Sequence, residues 1–295
     1  MRTKKRNPPD ALPWWTFPTL AAIATGGLLV AWRASAKASP MTTPPAPPPS
    51  SAHRSASPAV LAAPVIDTSG LAGSFVGMTE ADYLRAVEAS LLAVTGPAAQ
   101  VWHPVQTQAH GRTGVFYALA LPLVLGTDAE MFHPALPVAI AQRVADRLGA
   151  MLPTRRMVDL LHAQATVRVP FRAYVTARSA VPTLVASSRD IELRRAGRTG
   201  LVSDYGKDYV LTNQRRGQPG KVAIYGAWDA SGARVQPLAV PHAVGYYDYS
   251  QHARMVRRDG LVDGRSVMLA DALANPATAP LFSDEGPLTG AMLRY

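Results

Sequence analysis

The sequence predicts an α+β domain: a helical hairpin and further helices packed on a mainly antiparallel sheet, preceded by one N-terminal transmembrane helix. Three observations predict it. Apolar residues recur at helical spacing in segments between Thr79 and Leu161. Short strand-like runs separated by turn dipeptides fill the chain from Asp208 onward. A charge-free run, FPTLAAIATGGLLVAW from Phe17 to Trp32, stands behind Arg2, Lys4, Lys5 and Arg6 and ahead of Arg33.

That run divides the chain into residues 1–11, a basic tail; 12–32, a transmembrane anchor or signal sequence; 33–67, a linker; and 68–295, a globular domain. The basic cluster is expected to stay in the cytoplasm and the apolar run to enter the bilayer, which places the remainder outside the cytoplasm. Trp14, Trp15 and Trp32 bracket the run as interfacial aromatics bracket a span, which favours a retained anchor, whereas Ala34-Ser35-Ala36 has the small-x-small form of a cleavage site. Both readings lead to export. From Ser39 to Pro64 the chain is dominated by Pro, Ala, Ser and Thr, the composition of an extended stalk that resists packing.

The domain opens with a helix from Thr79 to about Val94. Thr79 provides a capping hydroxyl with Asp82 three residues on, and Tyr83, Leu84, Val87, Leu91 and Leu92 line one face. Gly96-Pro97 ends it. Strand-like runs follow from Val101 to Leu125, with a turn expected at Gly111-Arg112-Thr113-Gly114. Pro137 suits a first helical turn, and Val138, Ile140, Ala141, Val144, Ala145 and Leu148 supply the buried stripe of the next helix. A second helix starts at Thr154, and the two are expected to form the hairpin. Val167–Tyr174 reads as a strand and Ser188–Ala196 as an arginine-rich helix. Five strands are expected at Asp208–Thr212, Lys221–Tyr225, Arg234–Leu238, Gly245–Tyr249 and Arg254–Arg257. Asp259-Gly260 and Asp263-Gly264 read as turns, with Ser266–Leu269 as the strand after them.

Composition narrows the chemistry. The chain has no cysteine, which removes disulfides, a thiolate nucleophile and thiolate-ligated zinc. Of the formal charge of +10, seven basic residues against two acidic ones account for +5 up to Asp67, leaving +5 for the domain. This excess suits anionic lipid or wall polymer, while no basic stretch is interleaved with aromatics as in single-strand binders, so nucleic acid is not expected as a partner.

The densest set of reactive side chains is Pro241 to His252. His242, Asp248, Ser250 and His252 are the candidate catalytic residues, because general acid–base work needs imidazoles and a carboxylate, and a serine beside a histidine is the minimal activated nucleophile. On an extended strand Asp248, Ser250 and His252 would share one face and Tyr247 and Tyr249 the other. Lys207, Asp208, Tyr247, Tyr249 and Trp228 are the candidate binding residues. No metal-ligand spacing is present, and no metal or cofactor is expected.

The strings from Leu152 to Asp159, Gly206 to Asn213, Val222 to Gly226 and Tyr247 to His252 together resemble an uncharacterised family of exported bacterial proteins, which often has DYSHG where this chain reads DYSQH. That resemblance spans roughly residues 138–287 and carries no established activity. Ile224-Tyr225-Gly226 followed by Ser250-Gln251-His252-Ala253-Arg254-Met255 is similar in order to the motifs of YkuD-type L,D-transpeptidases, without their catalytic cysteine. Ser250, His252 and Asp259 are spaced as in zinc D-Ala-D-Ala peptidases, but Met255 and Arg257 replace the intervening small residues and no second histidine follows.

Together these features predict a single-pass protein of the bacterial cytoplasmic membrane with its domain in the periplasm or outside the cell. The expected activity is a cell-wall-directed hydrolase, with His242 or His252 as general base and Asp248 orienting it. The alternative is a non-catalytic envelope-binding or scaffolding module, suggested by Arg194-Arg195, Arg215-Arg216 and Arg257-Arg258.

Overall fold

The computed structural model describes residues 70–93, 101–127 and 130–295, so the expected tail, membrane segment and linker lie outside the described residues. Among the described residues, no helix is long and apolar enough to cross a membrane. The architecture is α+β with mainly antiparallel pairing.

The first elements are a short helix α1 (Leu71–Ser74) and α2 (Glu80–Leu92), which Thr79 caps by accepting the Asp82 N–H. Tyr83 is fully buried on α2, donates to the Ala135 carbonyl at 3.0 Å and packs with Phe75 and Phe132. Strands β1 (Trp102–Ala109) and β2 (Arg112–Leu119) form a hairpin. Its turn has His110 and Gly111 at the corners, both at positive φ, two residues earlier than predicted. Gly114 is instead a ladder residue opposite Thr107, where a Cβ would lie 3.0 Å from both Thr107 and Phe282.

A small pair, β3 (Leu125–Thr127) and β4 (Glu130–Phe132), leads into α3 (Val138–Arg147), whose predicted stripe is buried as expected. The predicted helical hairpin does not form. Between α3 and α4 (Arg155–Gln164) the chain lays down β5 (Ala150–Met151), which pairs with a later strand; α3 then packs on α2, and α4 on β1 and a distant sheet. Thr154 caps α4 by accepting the Met157 N–H.

Only two residues of the predicted strand at 167–174 are strand, β6 (Val167–Arg168), and α5 (Val181–Arg195) begins seven residues before the predicted helix. Then come β7 (Val202–Ser203), β8 (Lys207–Tyr209), β9 (Lys221–Trp228), β10 (Arg234–Ala243), β11 (Gln251–His252), β12 (Val256–Val262) and β13 (Arg265–Met268). Two helices, α6 (Leu269–Ala274) and α7 (Ala279–Phe282), follow.

One sheet runs β1-β2-β12-β13 with β5 joined to β12; another runs β10-β9-β8-β11, antiparallel except for the parallel pair β8 and β11. Asp263-Gly264 makes the predicted turn, both residues at positive φ. Asp259-Gly260 does not turn: it lies inside β12, where Gly260 lets the strand approach the Val115 carbonyl, 2.6 Å from where a Cβ would stand. The free edge of β1 is met by a side chain at Gln106, whose N–H donates to Gln164 of α4 at 3.0 Å and whose carbonyl accepts from it at 2.8 Å.

Candidate functional site

Gly245 to Tyr249 is not the strand that the sequence suggested. Asp248 makes a local turn instead, its Oδ1 accepting both the Ser250 N–H at 2.9 Å and the Ser250 hydroxyl at 2.5 Å. Its Oδ2 accepts Arg178 Nε at 3.0 Å and Nη2 at 2.8 Å, and the Tyr246 hydroxyl at 3.0 Å. Burial pushes the Asp248 carboxyl up, but the Ser250 hydroxyl and the Arg178 guanidinium outweigh it and hold the group below the usual carboxylate range. Ser250 is 0% exposed and its proton is committed to Asp248, so no histidine activates it.

Parallel pairing sets Lys207 beside Gln251 and Asp208 beside His252, and alternation sends the two pairs to opposite faces. Lys207 is buried and forms no ion pair among the described residues. Burial pushes its ammonium below the usual lysine value, helped by Arg178 and opposed by Asp248. His242, half-buried on β10, stacks on Tyr246 at 3.9 Å; burial lowers it too, Asp248 opposes, and Lys207, Arg178 and Lys221 add to the lowering. Arg178 also borders an open depression of about 450 Å³ together with Met78, Glu80 and Pro182. Glu80 faces the buried Tyr247, whose hydroxyl burial pushes well up. Tyr249 accepts the Tyr174 N–H through its hydroxyl at 2.7 Å beneath Arg178.

His252 occupies a different environment. It is enclosed between Tyr205 and His133, with ring centroids 5.0 Å and 6.5 Å away, and Gly206 abuts it so closely that a Cβ would lie 2.0 Å from its Cδ2. Neither ring nitrogen completes a well-aligned hydrogen bond, and burial drives the imidazole down to about 3, with His133 adding to the effect. Asp208 is pushed up to about 6 by burial, against the pull of Arg254. His133 Nε2 lies 2.6 Å from Glu192 Oε1 and Nδ1 3.2 Å from the Tyr205 hydroxyl. Burial lowers His133, opposed by its hydrogen bond to Glu192 and the charge of that carboxylate. Burial raises Glu192, but His133 and Arg195 bring it to about 2.

Trp228 belongs to neither set. It stacks on His162 at 4.0 Å and 6°, and His162 Nδ1 lies 2.6 Å from Asp204 Oδ1. The Trp228 N–H donates to the Asp204 carbonyl at 3.1 Å, closing a ring of three residues. Asp204 sits at φ 91 and Ala227 at φ 55, left-handed conformations that cost non-glycine residues about 1–3 kcal/mol each.

The structure thus brings Lys207, His242 and Asp248 together, with Ser250, Tyr247 and Tyr249 around them, and sends Asp208 and His252 to another face and Trp228 to a third cluster. Among the described residues, no group of three or more histidine, aspartate or glutamate side chains is arranged to hold a metal ion. Sequence reading missed Arg178, which lies in a segment without periodicity, and the pairing of His162 with Asp204. Nothing in the local sequence signals the latter, because His162 and Asp204 lie 42 residues apart.

The arginine pairs are engaged internally. Arg194 binds Asp190, Arg195 binds Glu192, Arg257 binds Asp259 and Arg258 binds Asp146, while Arg215 lies 3.5 Å over the Tyr295 ring and Arg216 donates to Asn213. Comparison with protein families, with curated proteins and with solved structures finds no match for this chain.

Proposed function

We propose that this chain is a membrane-anchored protein of the bacterial envelope whose extracytoplasmic domain hydrolyses a cell-wall polymer, using Lys207 and His242 as acid–base groups and Asp248 to fix their surroundings. The observation that carries this reading is Lys207: a buried ammonium without an ion-pair partner among the described residues, pushed below its usual value by burial, close enough to His242 and Arg178 to act on their charges. A neutral lysine amine takes a proton from water as the water oxygen attacks an amide or glycosidic carbon, and a neighbouring acid returns a proton to the leaving group. His242 and Tyr246 are the partly exposed groups able to do so. The Ser250 hydroxyl is committed to Asp248, and His252 lies on the opposite face of the β8–β11 pair from Lys207. Asp248, saturated by five donors, is a positioning residue that holds Arg178 at the edge of the depression.

Full-length protein incubated with peptidoglycan sacculi is expected to release soluble fragments, and Lys207→Met or His242→Gln to lower the release at least 100-fold. Equal rates in wild type and both variants overturn the assignment. The rival reading, a binding module, is favoured by the openness of the depression; co-sedimentation with sacculi that weakens with salt and releases no fragments would establish it instead. A reporter fused after Ala38 should be exported; retention inside intact cells overturns the envelope location.

A further inference from the structure

The cluster around His162 lies outside the Lys207 site and has its own chemistry. Asp204 is nearly enclosed, with 4% of its side chain exposed, and engages Nδ1 of His162, which leaves Nε2 as the ring's free position. Arg168 lies against the imidazole, its Nη1 2.8 Å from Nε2 and 3.1 Å from Nδ1 while Nη2 donates to the His162 carbonyl at 2.8 Å. The guanidinium forms one long ion pair, with Asp204. Asp204 Oδ2 is 3.8 Å away, and 44% of the Arg168 side chain is exposed. The other charged groups beside the cluster are already paired: Asp159 accepts the Tyr225 hydroxyl at 2.8 Å and faces Arg234 at 3.4 Å.

We propose that Arg168, His162 and Asp204 form a second ligand site, which takes the carboxylate or phosphate group of a small anionic ligand on Arg168 and thereby uncovers Nε2 of His162. A planar guanidinium resting on an imidazole and a carbonyl exchanges these for a charge-assisted, two-pronged contact with an anion, which is the stronger arrangement. Asp204 and Trp228 hold the imidazole in place while Arg168 moves. Three contacts fix that ring: the carboxylate at Nδ1, the indole on its face, and the backbone bond between Trp228 and Asp204. The bare Nε2 then stands beside the bound anion as an acid–base group.

The test follows Trp228 emission, taken as the difference between the full-length protein and its Trp228→Phe variant, during titration with inorganic phosphate and separately with acetate at constant ionic strength. A saturable change is expected, at least tenfold weaker in Arg168→Gln, at least threefold weaker in Arg168→Lys, and unaltered in Lys207→Met. Competition between the two anions shows one shared site, and the tighter of them names the ligand group. The proposal is overturned if sodium chloride reproduces the change, if no change saturates, or if Arg168→Lys, which keeps the charge and the fold, binds as wild type does. Because Lys207→Met reports on the other site, failure here leaves the hydrolase reading standing, and failure there leaves this one.

Discussion

Asp248 and His252 are four residues apart, both are buried, and they were solved by opposite means. The aspartate is surrounded by donors from Ser250, Arg178 and Tyr246 and keeps its charge. The histidine is surrounded by rings and carbon, lacks a well-aligned hydrogen bond and loses its charge. Burial alone therefore does not decide ionisation in this domain. The number of donors or acceptors that the fold supplies decides it.

The contrast can be broken from either side. Asp248→Ala removes the acceptor on which the five donors converge and is expected to lower stability by about 3 kcal/mol or more, because it strands Arg178 and the Ser250 hydroxyl. Denaturant unfolding measures it, and a loss well under 1 kcal/mol would show that the turn is held by something else. Gly206→Ala attacks the other side. Its methyl collides with His252, and about 1–3 kcal/mol is expected to be lost in the same measurement.

Titration sharpens the comparison. His252 is depressed when folded, to about 3, so the unfolded chain binds the extra proton and stability falls as pH drops below 6.5. His133 acts in the same direction. Asp208 is raised to about 6, so the folded chain binds the extra proton between its unfolded value of 3.8 and 6, and stability rises as pH falls through that window. The signs oppose. Asp208→Asn should therefore steepen the acid loss between pH 6 and pH 4 by about 1 kcal/mol per pH unit, visible in unfolding midpoints across pH. An unchanged slope would mean that Asp208 does not hold its proton in the fold. The smallest effect is expected from Tyr246→Phe, which removes one of five donors to Asp248 at an exposed position and should cost about 0.5–1 kcal/mol.

Much of the fold was legible where one local signal dominated. Thr79 and Thr154 announced their helices because a capping hydroxyl and an apolar stripe agree there, and Asp263-Gly264 announced its hairpin. Asp259-Gly260 carries the same dipeptide signal and was misread, since its glycine serves a close approach to β2 that only the assembled sheet creates. The hairpin of α3 and α4 failed for a similar reason: the two residues of β5 that separate them carry no periodicity, yet their pairing with β12 redirects the chain. At the site, the cluster from His242 to His252 was visible as composition. Its division was not, because strand alternation was assumed where Asp248 bends the backbone, and because Arg178, His133 and Tyr205 come from distant parts of the chain.

The amide of Gln164 on the rim of β1 bears on how this protein behaves when crowded. An uncovered border of a sheet invites a neighbouring molecule to add its own extended segment, the first step toward fibrous assembly. Here a helix lends a single planar group that satisfies both the donor and the acceptor of Gln106, so the border is occupied at that residue. Shortening that group by one methylene, in Gln164→Asn, would reopen the berth, and the cost would appear as sticking between copies at high concentration before it appeared as a lower melting temperature.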